Sequence, residues 1–260
     1  MLKSLNRLNK RGKAQCISTF DFSTLYTKIP HDKLLAVLNE ITDVCFDGGS
    51  RELISVTRSG ARWVTKPSLH GITFTKDSFK AAVKYLMNNC FFTLEDRIFR
   101  QIIGIPMGSD PAPFMANLFL YHYEAKYVKE TKSKDIFTAR KFRHTFRFID
   151  DLLAINDDGE FENCFTDIYP KELELKKEHG GDNVSFLDLN ISIKGRSFET
   201  SLYEKRDSFP FSIVRMPYKS SNMPSKIFYS TIGAEVLRLG RASSTPDKFV
   251  VSCKTVIERM

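Results

Sequence analysis

Two acidic positions carry the chemistry legible in this 260-residue chain. The first is the adjacent pair Asp150-Asp151, set between the apolar runs Phe146-Arg147-Phe148-Ile149 and Leu152-Leu153-Ala154-Ile155. Apolar, aromatic and β-branched residues favour strands and Asp is depleted from their interiors, so the stretch reads as a tight β-hairpin with acid at its tip. Neighbouring carboxylates repel, and strands packed on a core strip their hydration, so a pair with no task is a net cost. A divalent cation removes that cost, since magnesium takes oxygen ligands and is held by one or two carboxylates plus substrate phosphates. A solvated acidic turn is the plain alternative. The second position is Asp21, which Ile17-Ser18-Thr19-Phe20 delivers as a strand to its C-terminal end, with Pro30 closing off the stretch beyond it. Acids on the ends of two adjacent strands suit in-line nucleotidyl transfer by two metal ions about 3.5–4 Å apart that bridge the attacking and leaving oxygens. A two-metal nuclease is the competing reading; it usually brings further acids or a histidine beside the pair, and neither element has them.

A third stretch, Gly104-Ile105-Pro106-Met107-Gly108-Ser109-Asp110-Pro111-Ala112-Pro113, lets backbone approach a ligand closely. Ser109 or Asp110 suits a helix cap and Pro111 its first turn, which predicts a helix from Pro111 to about Lys129. Its start offers small residues and unpaired N–H groups to a base or sugar-phosphate, or it is a plain loop-to-helix junction.

The elements that must position these residues are set by periodicity. Residues 1 to 15 are basic and polar and read as loop or the tail of a helix. Leu34, Leu35, Val37, Leu38, Ile41 and Val44 predict a helix over His31 to Phe46, and Phe79, Ala82, Val83, Leu86 and Met87 another over Lys76 to Asn89. Ser50 to Thr75 is mixed, with Trp63 between cations, a residue for a small apolar cluster or for stacking on a base. Phe91 to Leu94 and Ile98 to Ile103 form a hairpin about Glu95-Asp96. A short helix runs from Asp158 to Ile168, a strand over Glu172 to Lys176, a hairpin pairs Val184 to Ile193 with Ser197 to Tyr203, and a terminal helix begins near Ser225. The order predicts an α+β fold, an antiparallel sheet with helices on one face.

A net charge of +8 points to a polyanionic partner, because neutralising phosphates releases counterions. No stretch approaches the roughly 18 apolar residues of a membrane span, and the basic N-terminus lacks a signal-peptide core, which predicts an intracellular protein without membrane attachment. Five scattered cysteines support neither a disulfide framework nor a zinc site.

Three runs together carry a specific family resemblance. Asp21-Phe22-Ser23-Thr24-Leu25-Tyr26 resembles motif A of reverse transcriptases, Gly104 to Pro111 resembles motif B, and Phe148-Ile149-Asp150-Asp151 resembles motif C, in the family's order. The longer wording, Phe22 to His31 and Phe186-Leu187-Asp188-Leu189, is most similar to the enzymes of Penelope-like retroelements, and the resemblance covers about residues 10 to 240.

The resemblance implies a right-hand polymerase palm with partial fingers over residues 1–220 and the start of a helical thumb over 221–260. It implies RNA-directed DNA synthesis on an RNA template and DNA primer from deoxynucleoside triphosphates, a retrotransposon origin, and a nuclear setting. Asp21, Asp150 and the Phe22 carbonyl would hold two magnesium ions, or manganese in their place, with Asp151 a less essential neighbour. Tyr26 would be the steric gate against a 2′-hydroxyl, and Gly108 and Ser109 would line nucleotide and template. Lys176 or Lys177 would protonate the leaving pyrophosphate, and Phe186 and Leu187 would form the primer grip. Phe148 stands where many relatives have Tyr, keeping a ring against the primer without its hydroxyl; Met107 stands where many have Gln. The fingers motifs that precede motif A in the family, and the endonuclease domain common in Penelope-like elements, do not appear, which predicts an N-terminally truncated enzyme that extends primers poorly and exposes apolar surface near residues 1 to 20. An RNA-dependent RNA polymerase and a catalytically silent, nucleic-acid-binding remnant are the alternatives.

Overall fold

The computed structural model describes residues 1–211, 213, 218 and 220–258. Helix α1 (Leu2–Asn9) leads to strand β1 (Ile17–Phe22), the short α2 (Leu25–Lys28) and α3 (His31–Cys45). Strands β2 (Leu53–Thr57), β3 (Gly60–Val64) and β4 (Ile72–Thr75) come next, then α4 (Lys76–Asn88) and the hairpin of β5 (Phe91–Leu94) and β6 (Arg97–Arg100). Helices α5 (Ala112–Lys134) and α6 (Ile136–Lys141) precede β7 (Thr145–Phe148) and β8 (Asp151–Ile155). After α7 (Glu160–Ile168) the chain forms β9 (Leu175–Gly181), β10 (Asn183–Phe186), β11 (Leu189–Lys194) and β12 (Ser197–Leu202), and it ends in α8 (Ser225–Ala242) and α9 (Pro246–Glu258). The fold mixes helices with antiparallel sheets, as expected. The strands divide among separate sheets in the orders β7-β8-β1-β9, β10-β11-β12, β3-β2-β4 and β5-β6, rather than forming the single sheet read from element order.

The chain divides into two compact units, the first made of Met1–Asp21, Phe137–Asn163 and Lys176–Met260. Its centre is the ladder between β1 and β8, in register from Ile17↔Ile155 to Asp21↔Asp151. Ile17, Leu153 and Ile155 pack with Val184, Phe186, Ile191 and Phe198 of the three-stranded β10-β11-β12 sheet and with Leu5 and Leu8 of α1. Phe20, of opposite parity to Ile17 on β1, meets Phe161 edge-on at 5.0 Å. The expectation of bare apolar surface near the N-terminus is overturned. Leu5, Leu8, Ala14, Ile17 and Phe20 are all buried, because α1 places Leu5 and Leu8 one turn apart on the face that closes this core. Asn9 fastens the same helix to β12, donating to the Phe198 carbonyl (2.8 Å) and accepting from its N–H (2.7 Å).

The second unit comprises Phe22–Ile136 and Cys164–Leu175. Leu34, Val37, Leu38 and Thr42 form the buried stripe of α3, and Ala112, Met115, Ala116, Phe119 and Leu120 that of α5. Helix α4 starts at a reciprocal cap, Ser78 N–H donating to Thr75 Oγ1 (3.2 Å) and Thr75 N–H to Ser78 Oγ (2.8 Å). The mixed stretch from Ser50 to Thr75 holds the β3-β2-β4 sheet, which its sequence did not reveal because each strand is short and none alternates cleanly. Trp63 packs edge-on against Phe46 at 4.9 Å, the apolar-cluster outcome.

Several boundaries move, among them that of the strand read over Ile98 to Ile103, which is observed over Arg97–Arg100. Helix α5 begins after Pro111 with no side-chain cap and runs to Lys134, since Ser109 Oγ instead donates to the Pro106 carbonyl at 3.0 Å. The strand read over Glu172 to Lys176 lies over Leu175–Gly181, where pairing with the sheet edge outweighs local alternation. The single strand read over Val184 to Ile193 is broken by a turn at Leu187-Asp188, with Leu187 at φ 54°, so that β10 folds back on β11.

Candidate active site

The first unit gathers four carboxylates. Asp21, near the end of β1, is the register partner of Asp151, the first residue of β8. Residues directly opposite on an antiparallel pair put their side chains on one face, so the two acids confront each other. Asp150 precedes Asp151 in the two-residue turn from Phe148, whose own cross-strand partner is Asp151. Ile149 opens that turn at φ 56°, while Asp150 keeps a negative φ, the pattern of a primed hairpin turn with left-handed backbone at its first centre only. A β-branched residue there is strained by about 1–3 kcal/mol. Arg147 Nη1 donates to the Ile149 carbonyl at 3.2 Å and helps hold the strained turn.

The fourth acid, Glu178 on β9, was not legible in the sequence. It lies in Lys176-Lys177-Glu178-His179-Gly180-Gly181, a polar run without apolar alternation that only the sheet edge makes into a strand. Burial first, then the charges of Asp150 and Glu178, raise the Asp21 carboxyl above its ordinary pKa. Burial and the charges of Asp150, Asp21 and Glu178 likewise raise Asp151, against an opposing pull from Lys205. Asp21 and Asp151 therefore hold their protons more tightly than free carboxyls do, and a hard cation suits the oxygen donors gathered here. Among the described residues no group of three or more His, Cys, Asp or Glu side chains is set to hold a metal ion. A site with one or two carboxylates needs the remaining oxygens from water and substrate, which is the way magnesium is held.

A cavity of about 540 Å³ opens beside Asp151 and Glu178, and Phe186 and Leu187 line it. Phe186 is buried, while the turn at Leu187 leaves that side chain 43% exposed. Thr19, two residues before Asp21, lines the same cavity; it is buried and its hydroxyl has no hydrogen-bond partner. Phe148 is exposed at the hairpin tip. Lys176 and Glu178 fall at alternate positions of β9, whereas the intervening Lys177 is paired with Glu162.

The remaining predicted residues belong to the second unit. The Phe22 ring is buried edge-on against Tyr169 at 4.9 Å, which leaves its main chain, not its side chain, to do chemistry. Tyr26 sits in α2, and its carbonyl accepts the Ile105 N–H at 2.7 Å. Gly104 N–H donates to the Ile29 carbonyl (2.8 Å), and its own carbonyl meets His31 Nε2 at 2.7 Å. These bonds join the Gly104 loop to the segment after Asp21. At Gly104, φ is 82° and a Cβ would lie 2.3 Å from the Tyr26 carbonyl oxygen, so close approach is demanded here. Gly108 also has positive φ (91°) but open space around it. Gly104 was thus the more constrained of the two glycines, a distinction their shared motif does not signal.

No family model and no curated protein matches this chain. Solved structures do. The telomerase of Candida albicans in complex with the TWJ fragment of telomeric RNA superposes with a TM-score of 0.53 at 13% identity, over 76% of this chain and 33% of that one. Apo telomerase of Candida tropicalis gives 0.53 at 13% identity over 84% of this chain and 37% of its own. The Candida tropicalis complex with the TWJ fragment gives 0.52 at 14% identity over 91% and 36%. This chain shares its fold with solved telomerases, which are reverse transcriptases. It spans about a third of their length. Among the described residues no helix is long and apolar enough to cross a membrane.

Proposed function

We propose that this chain carries the polymerase part of an RNA-directed DNA polymerase of retroelement origin, most similar in its motif wording to Penelope-like reverse transcriptases. The observation that carries this reading is the facing of Asp21 and Asp151 across β1 and β8 with Asp150 at the adjoining tip, since carboxylates that face each other and are repelled further by Asp150 and Glu178 are costly without a cation. In this reading residues 1–220 are the palm with part of the fingers and 221–260 the start of the thumb; residues 212, 214–217, 219, 259 and 260 lie outside the described residues. The telomerase fold supports the assignment, and the RNA named with those telomerases supports an RNA template.

Asp21 and Asp150 would hold the ions with the Phe22 carbonyl, and Asp151 would tune their charge. Bound magnesium would supply charge neutralisation at the attacking and leaving oxygens. Lys176 or Lys177 would give a proton to the leaving pyrophosphate. Tyr26 would exclude a 2′-hydroxyl, Gly108 and Ser109 would line nucleotide and template, and Phe148 with Phe186 and Leu187 would hold the primer strand. The net charge of +8 would attract the template-primer duplex.

Primer extension on an RNA template, with and without magnesium, tests the proposal. Magnesium-dependent deoxynucleotide addition that is lost in Asp21→Asn and Asp150→Asn, with template-primer binding retained, is the expected result. Incorporation of ribonucleotides alone would select the RNA polymerase instead, and binding with no extension by wild type would select the silent remnant.

A further inference from the structure

The turn that breaks β10 from β11 is short, left-handed at a leucine and exposed at its tip, so something must hold it. Its main chain is tied by the Tyr203 N–H, which donates to the Asp188 carbonyl at 2.8 Å. Its side chain is tied from much farther along the chain. Arg238, on α8, donates from Nε to Asp188 Oδ2 at 3.2 Å. The same guanidinium donates from Nη1 to Glu204 Oε1 at 3.2 Å and to Glu235 Oε1 at 3.1 Å. Glu204 also accepts from Arg206 Nε at 2.7 Å. Glu235 is 7% exposed, unusual for a carboxylate on a helix, and Arg238 pairs with it.

Arg238 is therefore a hub. One planar group bonds the turn, the segment after β12 and its own helix, a geometry that a point-charge lysine does not reproduce. It also lines the cavity that Leu187, Asp188 and Asp151 border.

We propose that Arg238 is a positioning residue that latches the Leu187-Asp188 turn to α8, fixing where Leu187 projects into the cavity. The latch itself stands on geometry; its consequence, that the latch sets primer affinity, rests on the polymerase reading above. Loss of the latch leaves the four acids in place and lets the turn move.

The test uses the full chain and the variants Arg238→Met, Arg238→Lys and Asp188→Asn. Backbone hydrogen exchange at Tyr203, whose N–H donates to the Asp188 carbonyl, reads the latch without any need for activity. Arg238→Met is expected to speed that exchange by about tenfold, the scale of one charge-assisted hydrogen bond, and Arg238→Lys to restore it only in part. Asp188→Asn removes an exposed carboxylate and leaves the buried Glu235 paired, so it keeps the test open if Arg238→Met does not fold. The double variant is expected to show no more than the larger single effect, since both break one contact. Unchanged exchange in Asp188→Asn, or fully additive effects, would overturn the proposal. In extension assays the primer KM is expected to rise about tenfold in Arg238→Met with kcat nearly kept, the pattern of lost binding rather than lost chemistry. Altered exchange in a chain whose wild type neither binds nor extends primers would leave the latch standing and remove the polymerase reading.

Discussion

Asp21 and Asp151 are register partners across the antiparallel β1–β8 ladder. Both carboxyls are raised above the ordinary 3.8, by burial first and then by Asp150. A carboxyl whose folded pKa is raised binds its proton more tightly when folded, so its contribution favours folding in acid and is lost as pH rises through the raised value. In metal-free protein Asp21→Asn should be more stable than wild type at neutral pH, by about 1 kcal/mol or less, the scale of a cross-strand pair. The gap should close as pH falls to 3.8 and below. Urea midpoints across pH measure it, and a gap that widens in acid would show instead that partners stabilise the charge. Added magnesium should raise the wild-type midpoint and leave Asp21→Asn unmoved.

Tyr26 anchors its backbone through the Ile105 N–H, so replacing the ring leaves that bond in place. Tyr26→Ala should shift nucleotide preference toward ribonucleotides by about tenfold or more, the scale on which pocket contacts discriminate. Single-nucleotide incorporation with each sugar reads it. Unchanged selectivity would reduce the ring to packing.

Gly104 and Gly108 share left-handed backbone but not surroundings. Gly104→Ala should cost well over the ~1–3 kcal/mol of backbone strain, because its Cβ meets the Tyr26 carbonyl, whereas Gly108→Ala should cost the strain alone. Equal denaturation midpoints for the two would contradict the close approach.

Leu5 is 2% exposed and sits in the core with Ile17 and Phe198. Leu5→Ala should therefore destabilise by about 2–5 kcal/mol. A loose N-terminal segment would lose less than about 0.5 kcal/mol, the range for surface changes, and thermal melts separate the two cases.

By itself the sequence determined the parts whose physics is local. Short apolar runs on either side of Asp150-Asp151 determined a hairpin with acid at its tip, and the strand ending at Asp21 was legible from Ile17 and is observed over Ile17–Phe22. Helical spacing placed α3 and α4 within a residue of their observed ends. Tertiary structure decided the features that depend on a partner distant in sequence. Glu178 joins the acids because a polar run pairs at the sheet edge, and Leu5 and Leu8 are core because α1 meets β10-β11-β12. Gly104 differs from Gly108 through the nearness of the Tyr26 carbonyl, Thr27 and Gln101, and Arg238 reaches Asp188 across 50 residues of chain. None of these is written in a window of neighbouring residues, because pairing energy and charge contact act through space, whereas propensity and periodicity act along the chain.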